Sequence, residues 1–152
     1  MLFRSAAVLS AVETVNPAIV STLDAACLSL MAQRGQIRGA IVDGPLAFDN
    51  AISVKAAEEK AIISSVAGDA DIVLVPDLVS GNILAKNLEY LAGATAAGVV
   101  LGLAAPVILS SRADPLPARL ASLALAALMH HRHPRGSLTK GSPQELSLLC
   151  AP

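Results

Sequence analysis

Short apolar runs alternate with longer amphipathic segments along most of this chain. The apolar runs predict strands at residues 6–12, 39–42, 72–75, 97–101 and 106–109. Apolar residues at helical spacing predict helices at residues 18–34, 50–60, 81–91 and 116–129. Strands that alternate with helices in this way predict an α/β fold, a three-layer doubly wound domain with a mostly parallel sheet.

The middle of the chain combines this pattern with groups that could bind an anion. Residues 71–76 predict a buried strand that ends on proline, and Ser80-Gly81-Asn82 predicts the start of the next helix. The first amides of a helix have no intrahelical partner and therefore favour an anion. Lys86 follows about one turn later and is expected to face the same anion.

A second polar group follows the last predicted strand. Ser111 and Arg112 come shortly after residues 106–109, at the end of the strand where open α/β sheets bind ligands. The same pair could instead cap the helix that is predicted to begin at residue 116. The residues alone leave both interpretations open.

Composition limits the class of protein. The chain has 152 residues, of which 54% are hydrophobic and 15% charged, enough for one sizeable core. Aromatic residues make up only 2%, so Ala, Val, Leu and Ile must fill that core. A net charge of −1 without a basic stripe argues against a nucleic-acid partner, and small anions are the expected partners instead.

Membrane and metal functions are not expected. Residues 90–111 carry no charge, but glycines and Pro106 interrupt them at the spacing of strands and turns, so a membrane span is not predicted. The histidines 130, 131 and 133 end a helix without acidic neighbours, and no metal site is predicted. Cys27 is expected in the core. Two cysteines without framework spacing and no signal-peptide pattern favour a cytoplasmic location.

Several motifs in order resemble the phosphate acetyltransferase and phosphate butyryltransferase family. They are Asp43-Gly44-Pro45-Leu46-Ala47-Phe48-Asp49-Asn50-Ala51-Ile52-Ser53, Val75-Pro76-Asp77, Ser80-Gly81-Asn82-Ile83, Lys86 and Ser111-Arg112-Ala113-Asp114. The similarity covers residues 7–127 and matches the C-terminal part of the two-domain catalytic unit of that family. The last motif is more similar to the butyryltransferase branch, and to bifunctional enoyl-CoA hydratase/phosphate acetyltransferase proteins, than to the acetyl branch.

The resemblance implies reversible transfer of a short acyl group between coenzyme A and inorganic phosphate, by direct transfer in a ternary complex. Arg112 would hold phosphate and the carbonyl oxygen, and Ser111 would donate to the oxyanion. Lys86 would contact phosphate, with Gly81 and Asn82 lining the cleft. Acyl-CoA and phosphate are then substrates, and no separate cofactor is expected.

Two positions are less certain matches to the family. The acetyl branch has a proposed base, a carboxylate, seven residues past the serine, where this chain has Ala118, so Asp114 is the substitute candidate. Asp43 begins the sequence Asp43-Gly44-Pro45, which predicts a turn first and a cleft edge second.

The predicted organisation is a leader at residues 1–5, one acyltransferase domain at 6–132 and a mobile tail at 133–152. Because the family's N-terminal domain and its arginines are not matched, we expect an exposed apolar face, a homodimer, or a separate N-terminal half as partner. The alternative to an acyltransferase is a non-catalytic remnant or assembly module with residual coenzyme A or phosphate binding. A third hypothesis is a different acyl-phosphate-using transferase of related fold.

Overall fold

The computed structural model describes residues 5–132. Its strands are β1 (Ser5–Leu9), β2 (Ile41–Leu46), β3 (Ile72–Leu74), β4 (Val99–Val100) and β5 (Val107–Ile108). Its helices are α1 (Val20–Gln33), α2 (Phe48–Ile52), α3 (Val54–Glu59), α4 (Leu78–Tyr90) and α5 (Leu116–Arg132). The chain divides into two compact units, of which unit 1 ends at Leu84 and unit 2 begins at Ala85. The boundary lies within α4, and the single domain at residues 6–132 stays a prediction.

Unit 1 contains a three-stranded parallel sheet in the order β2-β1-β3, which confirms the predicted α/β class. The central strand β1 is the most deeply buried, with Ala7 fully inaccessible. Side chains alternate across the sheet: Ala7 and Leu9 join a core cluster with Ala51 of α2, whereas Val8 lies on the side of Ala25 of α1. Helices therefore cover both faces of β1, as in a doubly wound fold.

Strand β3 differs from its prediction as a buried strand. Among the described residues it pairs only with β1 and forms the edge of the sheet. Ile72 is 44% exposed and Leu74 is 45% exposed. A continuous apolar run predicts cover on both faces, but a strand that ends a sheet has neighbours on one side alone.

The Asp43-Gly44-Pro45 segment is part of β2 and is not a turn, so this prediction was wrong. The register with β1 shifts between the pairs Ala7–Asp43 and Leu9–Leu46, and the irregularity accommodates a proline that cannot donate a ladder hydrogen bond. The Gly44–Pro45 peptide is cis. The strand ends at Leu46, whose carbonyl accepts from the Ser10 amide at 2.8 Å.

The helix predicted at residues 50–60 forms as two short helices, α2 and α3, that meet at Ser53. The extended backbone of Ser53 ends α2, and its hydroxyl accepts from the Ala56 amide at 3.3 Å to cap α3. In α1, the buried positions are Thr22, Ala25 and Ser29, whereas Cys27 is exposed. The prediction that Cys27 lies in the core was wrong, because the small residues of α1, rather than its larger apolar residues, are the buried ones.

Unit 2 contains β4, β5 and α5, and its two strands pair with each other in antiparallel fashion. The connection between them is too short for the crossover that a parallel pair requires. The sequence pattern predicted that β5 would extend a mostly parallel sheet, and this prediction was wrong. The Ser122 hydroxyl of α5 accepts from the Gly98 amide at 3.0 Å and so ties the helix to the start of β4. Within residues 5–132, no helix is long and apolar enough to cross a membrane.

Helix α4 begins earlier than predicted. Asp77 accepts from the Ser80 amide through Oδ1 and from the Ser80 hydroxyl through Oδ2, both at 2.8 Å. These bonds lower the pKa of Asp77, the amide bond being the larger cause. Asp77 is therefore the N-cap, and Ser80-Gly81-Asn82 lies inside the helix. A carboxylate already occupies the end of α4 where an anion was expected.

We expect Gly44→Ala to destabilise unit 1. A Cβ at this position would stand 2.6 Å from the Val8 carbonyl oxygen and 2.9 Å from the Val8 Cβ. Since backbone atoms must move to relieve this clash, the free energy of unfolding should fall by about 1–3 kcal/mol in urea titrations. The control is Asp43→Asn, which keeps an oxygen for the Gly44 amide, and equal stability of the two variants would contradict the steric explanation.

We expect Asp77→Ala to expose the Ser80 amide, so that its hydrogen exchange by NMR becomes several-fold faster, whereas Asp77→Asn keeps an acceptor and much of the protection. Since the pKa of Asp77 is lowered from 3.8, its stabilising effect is complete above that pH and disappears as the pH falls through the lower folded-state pKa. A protection factor of the wild-type Ser80 amide, taken relative to the intrinsic exchange rate at each pH, that does not fall in this acid range would contradict the cap.

Candidate functional site

Ser111 and Asp114 close one tight turn between β5 and α5. The Asp114 amide donates to the Ser111 carbonyl at 3.1 Å, and the Ser111 amide donates to Asp114 Oδ2 at 2.6 Å. The Ser111 hydroxyl accepts from the Ala113 amide at 3.4 Å, which leaves its own proton available to a ligand. The Ser111 hydroxyl therefore accepts a hydrogen bond within the Ser-Arg turn and not from the first amides of α5. This contact argues against the interpretation of Ser111 as a helix cap.

Arg112 lies at the tip of this turn and is exposed. Within residues 5–132 its guanidinium makes no hydrogen bond or ion pair, so its donors are open to an anion. Its carbonyl accepts from the guanidinium of Arg119 at 3.2 Å, which places a second cation beside the turn. The sequence analysis missed Arg119, although its position in the first turns of α5 after the Ser-Arg motif was a usable signal.

Lys86 on α4 is paired rather than free. Its Nζ lies 2.6 Å from Glu89 Oε2, and the two side chains are 40% and 19% exposed. The Nζ also lies 5.8 Å from the centroid of the Tyr90 ring. The hydrogen bond that Lys86 donates to Glu89 is the main cause that raises the pKa of Lys86, with a smaller contribution from the charge of Asp114. Lys86 therefore stays charged at neutral pH, and a bound phosphate would compete with Glu89.

A cavity of about 320 Å³ in unit 2 connects these elements. Glu89 and Tyr90 of α4 line one side, and Asp114 and Ala118 line the other. Ala118, where the resemblance implies a carboxylate, is buried with only 4% exposure. Glu89 and Asp114 are consequently the carboxylates of this cavity, and Glu89 was missed because its spacing from Lys86 also predicts an ordinary ion pair on a helix.

The other predicted residues, Gly81, Asn82 and Asp43, lie in unit 1. A Cβ on Gly81 would stand 2.8 Å from Val75 Cγ2, so this glycine permits close packing of α4 against the end of β3. Asn82 is exposed. Asp43 Oδ1 accepts from the Gly44 amide at 2.9 Å and from the Ser29 hydroxyl at 3.2 Å. These contacts explain Gly81 and Asp43 structurally, and the substrate contacts of all three stay predictions.

Residues 5–132 contain no group of three His, Cys, Asp or Glu that could hold a metal ion. The His130 and His131 rings lie 6.3 Å apart near the end of α5. His133 is outside the described residues.

Comparison with known proteins shows which family the chain resembles. The family described as "Phosphate acetyl/butaryl transferase" matches residues 4–127. The chain is 65% identical over 125 residues to a phosphate acetyltransferase of Rickettsia felis, which covers 82% of this chain and 36% of that protein. It is 50% identical over 119 residues to a phosphate butyryltransferase of Clostridium acetobutylicum, which covers 78% of this chain and 40% of that protein.

Solved structures agree with these relatives. A branched-chain phosphotransacylase from Enterococcus faecalis V583 superposes with a TM-score of 0.77 at 34% identity, over 88% of this chain and 48% of the other. The EutD phosphotransacetylase from Staphylococcus aureus superposes with a TM-score of 0.68 at 30% identity, over 84% and 40%. The chain spans 36–42% of the length of the curated relatives that it matches. From the match over residues 4–127 and these identities, the chain belongs to the phosphate acetyl/butyryltransferase family.

Proposed function

We propose that this chain carries part of the active site of a phosphate acyltransferase, which reversibly transfers an acetyl or butyryl group between coenzyme A and inorganic phosphate. The observation that carries the proposal is the Ser-Arg turn, which Asp114 orders through the Ser111 amide and on which Arg112 is exposed. Because the chain spans 36–42% of its relatives' length, the complete site would also use polypeptide beyond the matched segment.

In the direction of acyl phosphate synthesis, a phosphate oxygen attacks the thioester carbonyl and forms a tetrahedral oxyanion. The C–S bond then breaks, and the coenzyme A thiolate leaves and takes up the proton that the phosphate has lost. Arg112 would hold phosphate through its fork of donors, and Ser111 would donate to the oxyanion. Lys86 would neutralise part of the phosphate charge once phosphate has replaced Glu89 as its ion-pair partner.

The reverse direction requires a base for the coenzyme A thiol. Asp114 is the candidate, because it lines the cavity beside the Ser-Arg turn and the Ser111 amide engages its Oδ2 rather than its Oδ1. The acyl group passes directly between the two substrates in this scheme, without a covalent enzyme intermediate. Coenzyme A and phosphate are both substrates, no resident cofactor is invoked, and the proposed location is the cytoplasm.

One observation favours the second candidate, a non-catalytic module with residual coenzyme A or phosphate binding. Ala118 puts a methyl group where the acetyl branch has a carboxylate, and both carboxylates of the cavity already accept hydrogen bonds. A related transferase with another acyl phosphate would differ from the main proposal in the chain length of its acyl substrate.

The test is release of the coenzyme A thiol from acetyl-CoA and butyryl-CoA, with and without phosphate. We expect phosphate-dependent release that Arg112→Ala lowers by about a hundredfold, since Arg112 would hold both phosphate and the carbonyl oxygen on which negative charge develops. Arg34→Ala in α1 is the control and should release thiol at the wild-type rate. No release from the folded wild-type chain would support the non-catalytic module.

We further propose that the chain forms a homodimer through the outer face of α5. Leu116, Leu120 and Leu123 are 54–68% exposed on this helix, and residues 120–129 contain no charge. A helix that is apolar on nearly all sides is normally covered. A second copy presents the same uncharged leucines, so the two faces are complementary without ion pairs.

We expect a dimer by size-exclusion chromatography with light scattering, and a monomer when Leu120→Glu and Leu123→Glu are combined. Leu78→Glu, which changes a leucine that is 86% exposed in unit 1, is the matched control and should stay dimeric. A wild-type monomer would overturn the homodimer, and the separate N-terminal half would then be the expected partner of α5.

A further inference from the structure

The outer face of helix α1 carries exposed apolar side chains along its length. Val20, Leu23, Leu30 and Met31 are 37–66% exposed, and Cys27 between them is exposed as well. Residues spaced by three, four and seven positions lie on one face of a helix, so these five side chains form a continuous surface, the α1 stripe. A helix of a globular domain normally directs such a stripe at its core, and an uncovered stripe is typical of an interaction surface.

The packing of unit 1 fixes this orientation of α1. The buried residues of the helix are the small side chains of Thr22, Ala25 and Ser29. The Ser29 hydroxyl donates to Asp43 Oδ1 at 3.2 Å, and a Cβ on Gly44 would stand 3.2 Å from the Ala25 Cβ. Because α1 approaches β2 this closely, only small residues fit between them. The larger apolar residues of α1 must therefore lie on the opposite side of the helix.

The charges of α1 lie near the two ends of the stripe. Asp24 is near the start of the helix, Arg34 directly follows its last residue, and residues 25–33 carry no charge. Within residues 5–132 neither Asp24 nor Arg34 forms an ion pair. Two antiparallel stripes bring the Asp24 end of each copy to the Arg34 end of the other, whereas parallel stripes place like charges side by side. A second α1 in antiparallel orientation is therefore complementary to the first in apolar surface and in charge.

We propose that the α1 stripe is a self-association surface, on which a second copy of this chain packs its own stripe in antiparallel orientation. A two-fold axis beside Cys27 makes the same surface of both copies meet. Leu23 then lies beside Leu30 of the second copy, since the two are four and three residues from Cys27 on opposite sides. Asp24 and Met31 are seven residues apart on one flank of the helix, and the axis brings this flank of each copy against the same flank of the other.

The contact through α1 is weaker than a stable dimer interface. The helix has 14 residues. It is about 21 Å long, and the stripe contributes far fewer than the roughly 20–30 residues a side of a standard interface. The dimer proposed through α5 therefore stays the main species at micromolar concentration, and α1 brings further copies together as the concentration rises.

The test uses the full chain with Leu120→Glu and Leu123→Glu, which remove the α5 contact, and with Cys150→Ser, which leaves Cys27 as its one cysteine. We expect sedimentation equilibrium to show monomers at micromolar concentration and dimers at millimolar concentration. A short bis-maleimide should link two copies through Cys27. Because neither α5 nor acyl transfer is involved, failure of this test leaves both proposals above intact.

Variants at Met31 test the antiparallel arrangement. Met31→Glu places a carboxylate beside Asp24 of the second copy and should weaken association at least about tenfold, whereas Met31→Lys can pair with Asp24 and should weaken association less. Ile63→Glu, at a fully exposed isoleucine of unit 1 outside α1, is the matched control and should associate like its parent. Far-UV circular dichroism that is equal for all three variants confirms that each is folded.

Three results would overturn self-association through α1. They are monomers alone at millimolar concentration, no link through Cys27, and equal association by the Met31→Glu and Ile63→Glu variants. Association that Met31→Lys weakens as much as Met31→Glu would overturn the antiparallel arrangement.

Discussion

The close approach of β2 to β1 is the constraint on which unit 1 depends. Gly44 lies so near the Val8 backbone that a side chain has no space, and the strands pair in parallel on both sides of this point. That contact brings Ala25 of α1 onto one face of β1 and leaves Ala7 and Leu9 for the opposite face. Small residues at the interface let the layers approach closely.

The charged groups of the candidate site are largely satisfied within the chain. Asp114 orders the Ser-Arg turn, Glu89 holds Lys86, and Asp77 caps α4. Arg112 is the exception among the site residues, since its guanidinium has no partner among residues 5–132. A substrate anion would therefore bind Arg112 directly, whereas it would have to displace Glu89 to reach Lys86. Arg112 would then position the anion, and Lys86 would neutralise part of its charge.

The cavity of unit 2 and the groove of unit 1 differ in chemistry. The cavity of unit 2 is lined by the carboxylates of Glu89 and Asp114 and by the hydroxyls of Tyr90 and Thr95, which suits proton transfer. The groove of unit 1, which Leu9, Ser10, Ser21 and Phe48 help to line, has apolar walls and hydroxyls and no charged lining residue.

The sequence by itself determined the α/β class, the positions of most helices and strands, and the family, because apolar periodicity and short motifs are local properties of the chain. It also identified Ser111, Arg112 and Asp114 as candidate site residues, although only the structure shows that they share one turn. Only the tertiary structure decided that β3 is an edge strand and that β5 pairs in antiparallel fashion, since strand order and direction depend on which distant segments meet. The pairing of Lys86 with Glu89 likewise depends on side-chain positions that spacing alone permits but does not require.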